Sequence, residues 1–366
     1  MKLLSPFRCR QFTLRNRVVM APMTREQAPA GIPTDEMSAY YRRRAAGGTA
    51  MIITEGTPPD AAGTFGANVP RFFGAAALAV WGRIATAVHA DGAAILAQLW
   101  HVGAFEPSLV GMEDSLEPRV ERLSPSGLAG PGRPLGRAMT QADIDSTIQA
   151  FGEAASAARR LGFEGVEIHG AHGYLPDQFL WSGSNQRSDR YGGDLARRLR
   201  FAVELVSECR RRLGDGILSF RLSQWKQLDF AARIAETPAE LALIVEALSA
   251  AGVDLFHCST RRYFEPAFSG DDLGFAGWVR KLSGRPTIAV GSITLGNDFK
   301  SAQGKLQAAP DPAQIEDIER RLDAGEFDLI AIGRGLLANP DWVRLVEAGR
   351  AADLRPFCKS HLESLS

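Results

Sequence analysis

Three proton-handling side chains follow a single apolar run: His169, His172 and Tyr174 stand in Val166-Glu167-Ile168-His169-Gly170-Ala171-His172-Gly173-Tyr174. The residues from Gly165 to Ile168 read as a buried strand and the glycines beyond them as a turn, so both imidazoles and the phenol emerge at the strand's carboxyl end. In parallel α/β architectures that edge is where ligands bind. A structural turn with satisfied imidazoles is the alternative, yet His-x-x-His-x-Tyr at a strand end points to an active site.

Seven further apolar or β-branched runs punctuate the chain, giving the set 18–21, 50–54, 94–99, 166–168, 217–221, 255–258, 287–290 and 329–332. Each leads into a polar turn and then a segment of helical period rich in Ala, Leu and Arg. Count and alternation imply an α/β fold of (β/α)8 TIM-barrel type, with 1–366 as one domain. The widest gap follows the third run. There 103–140 is dense in Pro, Gly and Ser, which predicts a capping, lid-like insertion over the barrel mouth, with solvated decoration as the alternative. A second polar excursion occupies 296–311.

Composition narrows the function classes. The 42 basic residues balance 42 acidic ones, so no field attracts nucleic acid or an anionic membrane, and a small, roughly neutral partner is expected. No window approaches the ~18 uninterrupted apolar residues of a membrane span. The start lacks the apolar run of a secretory signal. Cys9, Cys209, Cys258 and Cys358 stand far apart without metal-ligand spacing, so no metal site and a reduced, cytoplasmic compartment are expected. Exposed barrel helices leave a homo-oligomer open.

In such a barrel, function is written at the strand ends. The first strand runs into Ala21-Pro22-Met23-Thr24-Arg25, the second into Glu55-Gly56-Thr57 and the third into Gln98-Leu99-Trp100-His101. The seventh gives Gly291-Ser292-Ile293-Thr294 and the eighth Gly333-Arg334-Gly335. Glycine lets backbone N–H groups approach a ligand oxygen, and barrels commonly bind phosphate at these two loops. Arg334 would add a guanidinium, so a phosphorylated cofactor is implied. Gln98 and Arg221, facing inward, would cost stability unless paired. A flat heteroaromatic ring with imide oxygens and nitrogens would pair them; an Arg salt bridge closing the mouth is the alternative.

With these residues assembled, the chain resembles the old yellow enzyme family of FMN-dependent ene-reductases, of 12-oxophytodienoate reductase type, along nearly its whole length. The resemblance rests on 14–25, Glu55-Gly56-Thr57, Gln98-Leu99-Trp100, 166–174, and the run from Ser184 through Asn185, Gln186, Arg187, Tyr191, Gly192 and Gly193. It implies an FMN ring against Ala21, Pro22, Met23, Thr24, Gly56, Gln98 and Arg221, with the phosphate on Gly291, Ser292, Gly333 and Arg334. It further implies that His169 and His172 bind the substrate's electron-withdrawing oxygen and that Tyr174 is the proton donor. The activity implied is ping-pong reduction of an α,β-unsaturated carbonyl or nitro compound by NADPH or NADH, with hydride from FMN N5. Family members often have Pro where this chain has Gly335.

The chemistry agrees when built from below. Hydride delivery to the β-carbon of an enone gathers negative charge on the carbonyl oxygen, and two aimed imidazoles form an oxyanion hole. The α-carbon then needs a proton, and a phenol of pKa near ~10 is protonated at neutral pH. Trp100 would border the substrate space. The loop after the sixth strand, Ser259-Thr260-Arg261-Arg262-Tyr263-Phe264-Glu265-Pro266, places Tyr263 at the predicted mouth as a substrate contact. Its arginines would hold a carboxylate or the 2′-phosphate of NADPH, or pair with Asp271 and Asp272 in a solvated loop. An amine or alcohol dehydrogenase, or oxidative demethylase, on the same barrel and a non-catalytic flavin-binding protein stay open as alternatives. A branch carrying an iron–sulfur cluster is not expected, because Cys358 stands alone.

Overall fold

The computed structural model describes residues 1–105, 120–296 and 310–365. Eight parallel strands close into a barrel: β1 Val18–Met20, β2 Met51–Thr57, β3 Ala94–Leu99, β4 Gly165–His169, β5 Ile217–Leu222, β6 Leu255–Ser259, β7 Thr287–Val290 and β8 Leu329–Ile332. They pair in chain order, and β8 returns to β1 with Ile330 opposite Val18. Every run expected from sequence is a barrel strand, because a strand covered on both faces must be apolar on both. On β5, for instance, Leu218, Phe220 and Leu222 join the layer shared with the helices, while Ile217 joins the barrel interior. Inward positions nearer the strands' carboxyl ends are polar instead, and they floor the mouth.

Several helices between strands begin where the sequence supplies a side-chain acceptor. Thr34 accepts from Met37 N at the start of α1 (Asp35–Ala46), and helix α2 (Ala75–Ala90) follows β2. Thr140 and Asp143 form a capping box on α3 (Gln141–Arg160). Asp194 and Thr237 cap α4 (Leu195–Leu213) and α5 (Pro238–Ala251). These oxygens satisfy backbone N–H groups that a helix start otherwise leaves without partners. The ring continues with α6 (Phe275–Ser283) and α7 (Ala313–Asp323). Among the described residues no helix is long and apolar enough to cross a membrane.

A feature not read from sequence closes the other end. An antiparallel hairpin, Phe7–Cys9 with Phe12–Leu14, places Cys9 and Leu14 in one cluster with Val19, Met51, Leu96, Ile217, Leu255, Ile288 and Leu329. The barrel therefore has a sealed floor and one polar mouth.

Of the expected insertion at 103–140, residues 106–119 lie outside the described residues, as do 297–309 of the second excursion. The described remainder folds as two small pairings, Leu123–Ser124 with Arg137–Ala138 and Leu128–Gly130 with Arg133–Pro134. Arg187 ties it down by donating to the carbonyls of Pro125 at 2.8 Å and Met139 at 2.6 Å. Asn185 Nδ2 donates to the carbonyls of Phe179 and Tyr191, so this stretch of 184–193 acts as a structural clasp.

Leu14 is 2% exposed within the floor cluster. Leu14→Ala should lower the unfolding free energy in urea by about 3–5 kcal/mol, the cost of lost burial plus a cavity; a loss below ~1 kcal/mol would show that the hairpin does not plug the barrel.

Candidate active site

The end of β4 turns sharply because its neighbours leave no room to continue. A Cβ on Gly170 would meet the Phe220 ring at 2.2 Å, and the chain then passes through left-handed backbone at His172 (φ 66°) and Gly173 (φ 85°). Such a conformation is uncommon for a side-chain-bearing residue and is typically held by surrounding contacts. The turn gathers the expected trio: ring centroids lie 4.9 Å apart for His169 and Tyr174, 5.1 Å for His169 and His172, and 6.4 Å for His172 and Tyr174. Trp100 borders the group, 6.2 Å from His169 and 5.0 Å from Tyr174. Phe65 and Phe105 complete an aromatic wall.

Burial sets the protonation of these groups. Burial first, then the positive charge of Arg221, holds both His169 and His172 well below the usual imidazole range, so they are neutral at pH 7. The backbone N–H of Ala171 donates to His169 Nδ1 at 3.4 Å, which leaves the proton on Nε2. His172 Nε2 lies 2.8 Å from Ser259 Oγ, to which Arg221 Nη2 donates at 3.3 Å. Arg221 has only donors, so the serine proton is available for donation to His172 Nε2. Burial pushes the Tyr174 phenol above its ordinary range, with Gln227 and Arg221 opposing it; it remains a neutral acid.

The loop after β5, in which the sequence singled out no residue, holds this trio in place. Ser223 Oγ accepts from His172 N at 2.9 Å, Trp225 stacks on the His172 ring at 4.4 Å, and Gln227 Nε2 donates to Tyr174 Oη at 3.0 Å. Lys226 Nζ meets Asp177 Oδ1 at 2.7 Å with both side chains fully buried, and Asp177 Oδ2 accepts from Gly173 N. Burial pulls the ammonium down and pushes the carboxyl up, each opposed by the partner's charge. A polar residue at every position from Ser223 to Gln227 except Trp225, directly after a strand, was the available signal.

Under the trio lies a buried polar layer. Glu167, two residues before His169 and on the same strand face, has no solvent exposure. It accepts from Gln98 Nε2 at 2.8 Å and Ser219 Oγ at 2.9 Å, with His257 Nδ1 at 2.9 Å. Burial would raise its pKa, but His257, Arg221 and Gln98 outweigh that and hold the carboxyl below its usual range. Burial, against the pull of Glu167, keeps His257 neutral. Arg221 supplies the compensating charge, and its Nε is buried without an acceptor.

The ends of β1 and β8 meet: Ala21 N donates to the Ile332 carbonyl, and a Cβ on Gly333 would stand 3.1 Å from Met23 Sδ and 3.8 Å from Ala21 Cβ. Pro22 and Met23 are half-buried there and Thr24 is exposed. Behind them Arg25 N donates to the buried Glu55, whose other oxygen faces Tyr41 Oη. At the seventh strand end Gly291 has φ 148° and Ser292 φ 49°, and Arg334 Nη2 reaches Ser292 Oγ at 3.5 Å. Gly56 has a local reason: a Cβ there would lie 2.4 Å from the Trp100 ring. Tyr263 does not join the trio's contacts. Its hydroxyl donates to Asp317 Oδ2 of α7 at 2.8 Å and its ring meets Phe327, so its phenol anchors the strand-six loop.

A closed barrel whose mouth combines a buried guanidinium with an unpaired Nε, two neutral imidazoles and a phenol has the groups of a redox or acid–base enzyme. Residues 2–353 match the NADH:flavin oxidoreductase / NADH oxidase family, and the chain belongs to it. It is therefore an FMN-dependent oxidoreductase of old yellow enzyme type. Over 356 residues it is 31% identical to 12-oxophytodienoate reductase 7 of Oryza sativa subsp. japonica, covering 93% of this chain and 86% of that one. It is also 31% identical to an NADH oxidase of Thermoanaerobacter brockii, covering 96% of this chain and 52% of the longer relative. An old yellow enzyme homologue from Zymomonas mobilis superposes with a TM-score of 0.79 at 26% identity, covering 99% and 96% of the two chains. Morphinone reductase in complex with tetrahydroNAD gives 0.79 at 27% identity, covering 99% and 94%. The residues present fit FMN, since the orphaned Arg221 Nε calls for an acceptor such as the flavin's pyrimidine edge offers.

The buried charges make the site's stability testable. Lys226→Met leaves a buried carboxylate alone and should cost about 3–5 kcal/mol in urea unfolding, whereas pairing it with Asp177→Leu should recover some of the loss; no recovery would deny that the charge is the cause. Burial also holds His101 and His257 below 6.5, as it does His169 and His172. Unfolded imidazoles therefore take up protons first as pH falls, and stability present above 6.5 is lost below it, by up to about 1.4 kcal/mol per pH unit per histidine. Glu55, pushed up to about 7 by burial, has the opposite sign and offsets roughly one of them. Thermal midpoints should fall between pH 7 and 5; a flat profile would contradict the buried, neutral imidazoles.

Proposed function

We propose that this flavoenzyme reduces the activated C=C bond of an α,β-unsaturated carbonyl or nitro compound, using NADPH or NADH in a ping-pong cycle. The observation that carries the reading is the convergence of two neutral imidazoles and a neutral phenol at one buried strand end. When bound, FMN would supply the hydride for the β-carbon. His169, through Nε2–H, and His172 bind the carbonyl or nitro oxygen and stabilise the charge that gathers on it. Neutral donors suit this task, because the charge then develops against aimed dipoles without a proton leaving the enzyme from the wrong group.

Tyr174 gives its proton to the α-carbon. Gln98 and Arg221 would hold the flavin ring, with Arg221 supplying positive charge beside it. Ala21, Pro22, Met23, Thr24 and Gly56 would border the ring, while Gly291, Ser292, Gly333 and Arg334 would take the phosphate. Trp100 and the aromatic wall behind it limit the substrate space and exclude water. The chain forms one domain in this reading, and its partner is a small electrophilic alkene.

An anaerobic absorbance experiment tests this. NADPH or NADH should bleach the flavin band, and 2-cyclohexenone should restore it; a flavin that neither nicotinamide reduces, or that the enone leaves bleached, contradicts the proposal. His169→Ala should slow the alkene half-reaction by about a hundred- to a thousandfold. Tyr174→Phe should slow that half-reaction while flavin reduction proceeds at the wild-type rate, and equal losses in both would remove the acid role.

A further inference from the structure

The proton donor has a partner that its own motif does not contain. Tyr174 is 5% exposed and sits edge-on to Trp100 at 5.0 Å, Phe105 at 5.2 Å and His169 at 4.9 Å. Once the phenol yields its proton, a phenolate is left among aromatic rings that cannot solvate it. A polar contact to Oη comes from Gln227 Nε2, at 3.0 Å. That contact is built by the backbone. Gln227 N donates to the His172 carbonyl at 3.1 Å, and His172 and Lys226 form a parallel bridge. The fully buried Lys226–Asp177 pair joins the loop to the short helix Leu175–Leu180 that begins beside Tyr174.

We propose that Gln227 is the positioning residue of the proton donor: its amide N–H holds Tyr174 Oη, leaves the phenol O–H for the substrate carbon, and stabilises the phenolate formed in the transfer. This rests on the reading of Tyr174 as the acid. In the step, the enolate's electron pair forms the α-C–H bond and the Tyr174 O–H bond breaks. The bonding pair stays on Oη, and water later returns the proton. A phenol oxygen accepts from one donor without surrendering its own hydrogen, so the amide leaves the acid function intact. An acceptor in the same place would instead draw the phenol hydrogen away from the substrate.

Stopped-flow measurement of both half-reactions on the FMN-loaded enzyme tests the assignment. Gln227→Leu should slow flavin reoxidation by saturating 2-cyclohexenone by about ten- to a hundredfold, the effect of a hydrogen bond to a charged group, and leave reduction by nicotinamide within about twofold of wild type. The solvent deuterium isotope effect on reoxidation should rise, since proton transfer then limits the step. Gln227→Glu, which keeps the shape and replaces the donor by an acceptor, should be at least as slow. In a Tyr174→Phe background, Gln227→Leu should cause no further loss.

Equal slowing of both half-reactions, an unchanged isotope effect, or a full additional loss in the Tyr174→Phe background would overturn the role of Gln227. If Tyr174→Phe alone reoxidised at the wild-type rate, the acid assignment itself would fall, and Gln227 with it.

Discussion

A carboxylate without solvent is the constraint on which the mouth of this barrel depends. Glu167 must be surrounded by donors, and three strands provide them: Gln98 from β3, Ser219 from β5 and His257 from β6. Meeting that demand fixes the Gln98 amide and keeps Arg221 charged across the barrel. Arg221 is left with an Nε that has no acceptor among the described residues. Two residues further along the same strand face, His169 inherits its direction from Glu167, because inward positions on a strand recur with a period of two.

A second buried charge pair has the same effect in the layer above. Lys226 and Asp177 lock the loop after β5 against the turn after β4, so the partners of His172 and Tyr174 arrive as a single unit. This clamp explains how a left-handed backbone at His172 persists: Ser223, Trp225 and Ser259 each contact that residue. Both arrangements trade stability for geometry. Ionic groups inside a core seldom stabilise a fold more than apolar residues of like volume, but they orient their neighbours.

Much of this was legible in the sequence, for physical reasons. The strands could be located because burial on both faces demands continuous apolar runs, and the trio at 169–174 stood out because it broke such a run. Less visible were residues whose meaning lies in a partner distant in sequence. Glu167 and His257 lie 90 positions apart with nothing local to pair them, yet they meet, fully buried, at 2.9 Å. The hairpin at 7–14 is too short to show a period. Gln227 gains its place only when the loop after β5 folds back on β4. Tyr263 shows the converse: an aromatic in a loop near the expected mouth whose hydroxyl goes to Asp317 on an outer helix.

Where the two added hydrogens land is the most direct measure of this account. Reduction of 2-methyl-2-cyclohexenone in heavy water with unlabelled nicotinamide should place deuterium on the α-carbon and hydrogen on the β-carbon, and the same reduction with nicotinamide deuterated at its transferable position should give a product whose two deuterons lie on opposite faces by NMR. That outcome requires a hydride donor on one side and a solvent-exchangeable acid on the other, the role proposed for Tyr174. Deuterium at the β-carbon alone, or both hydrogens on one face, would contradict this arrangement of flavin, imidazoles and phenol.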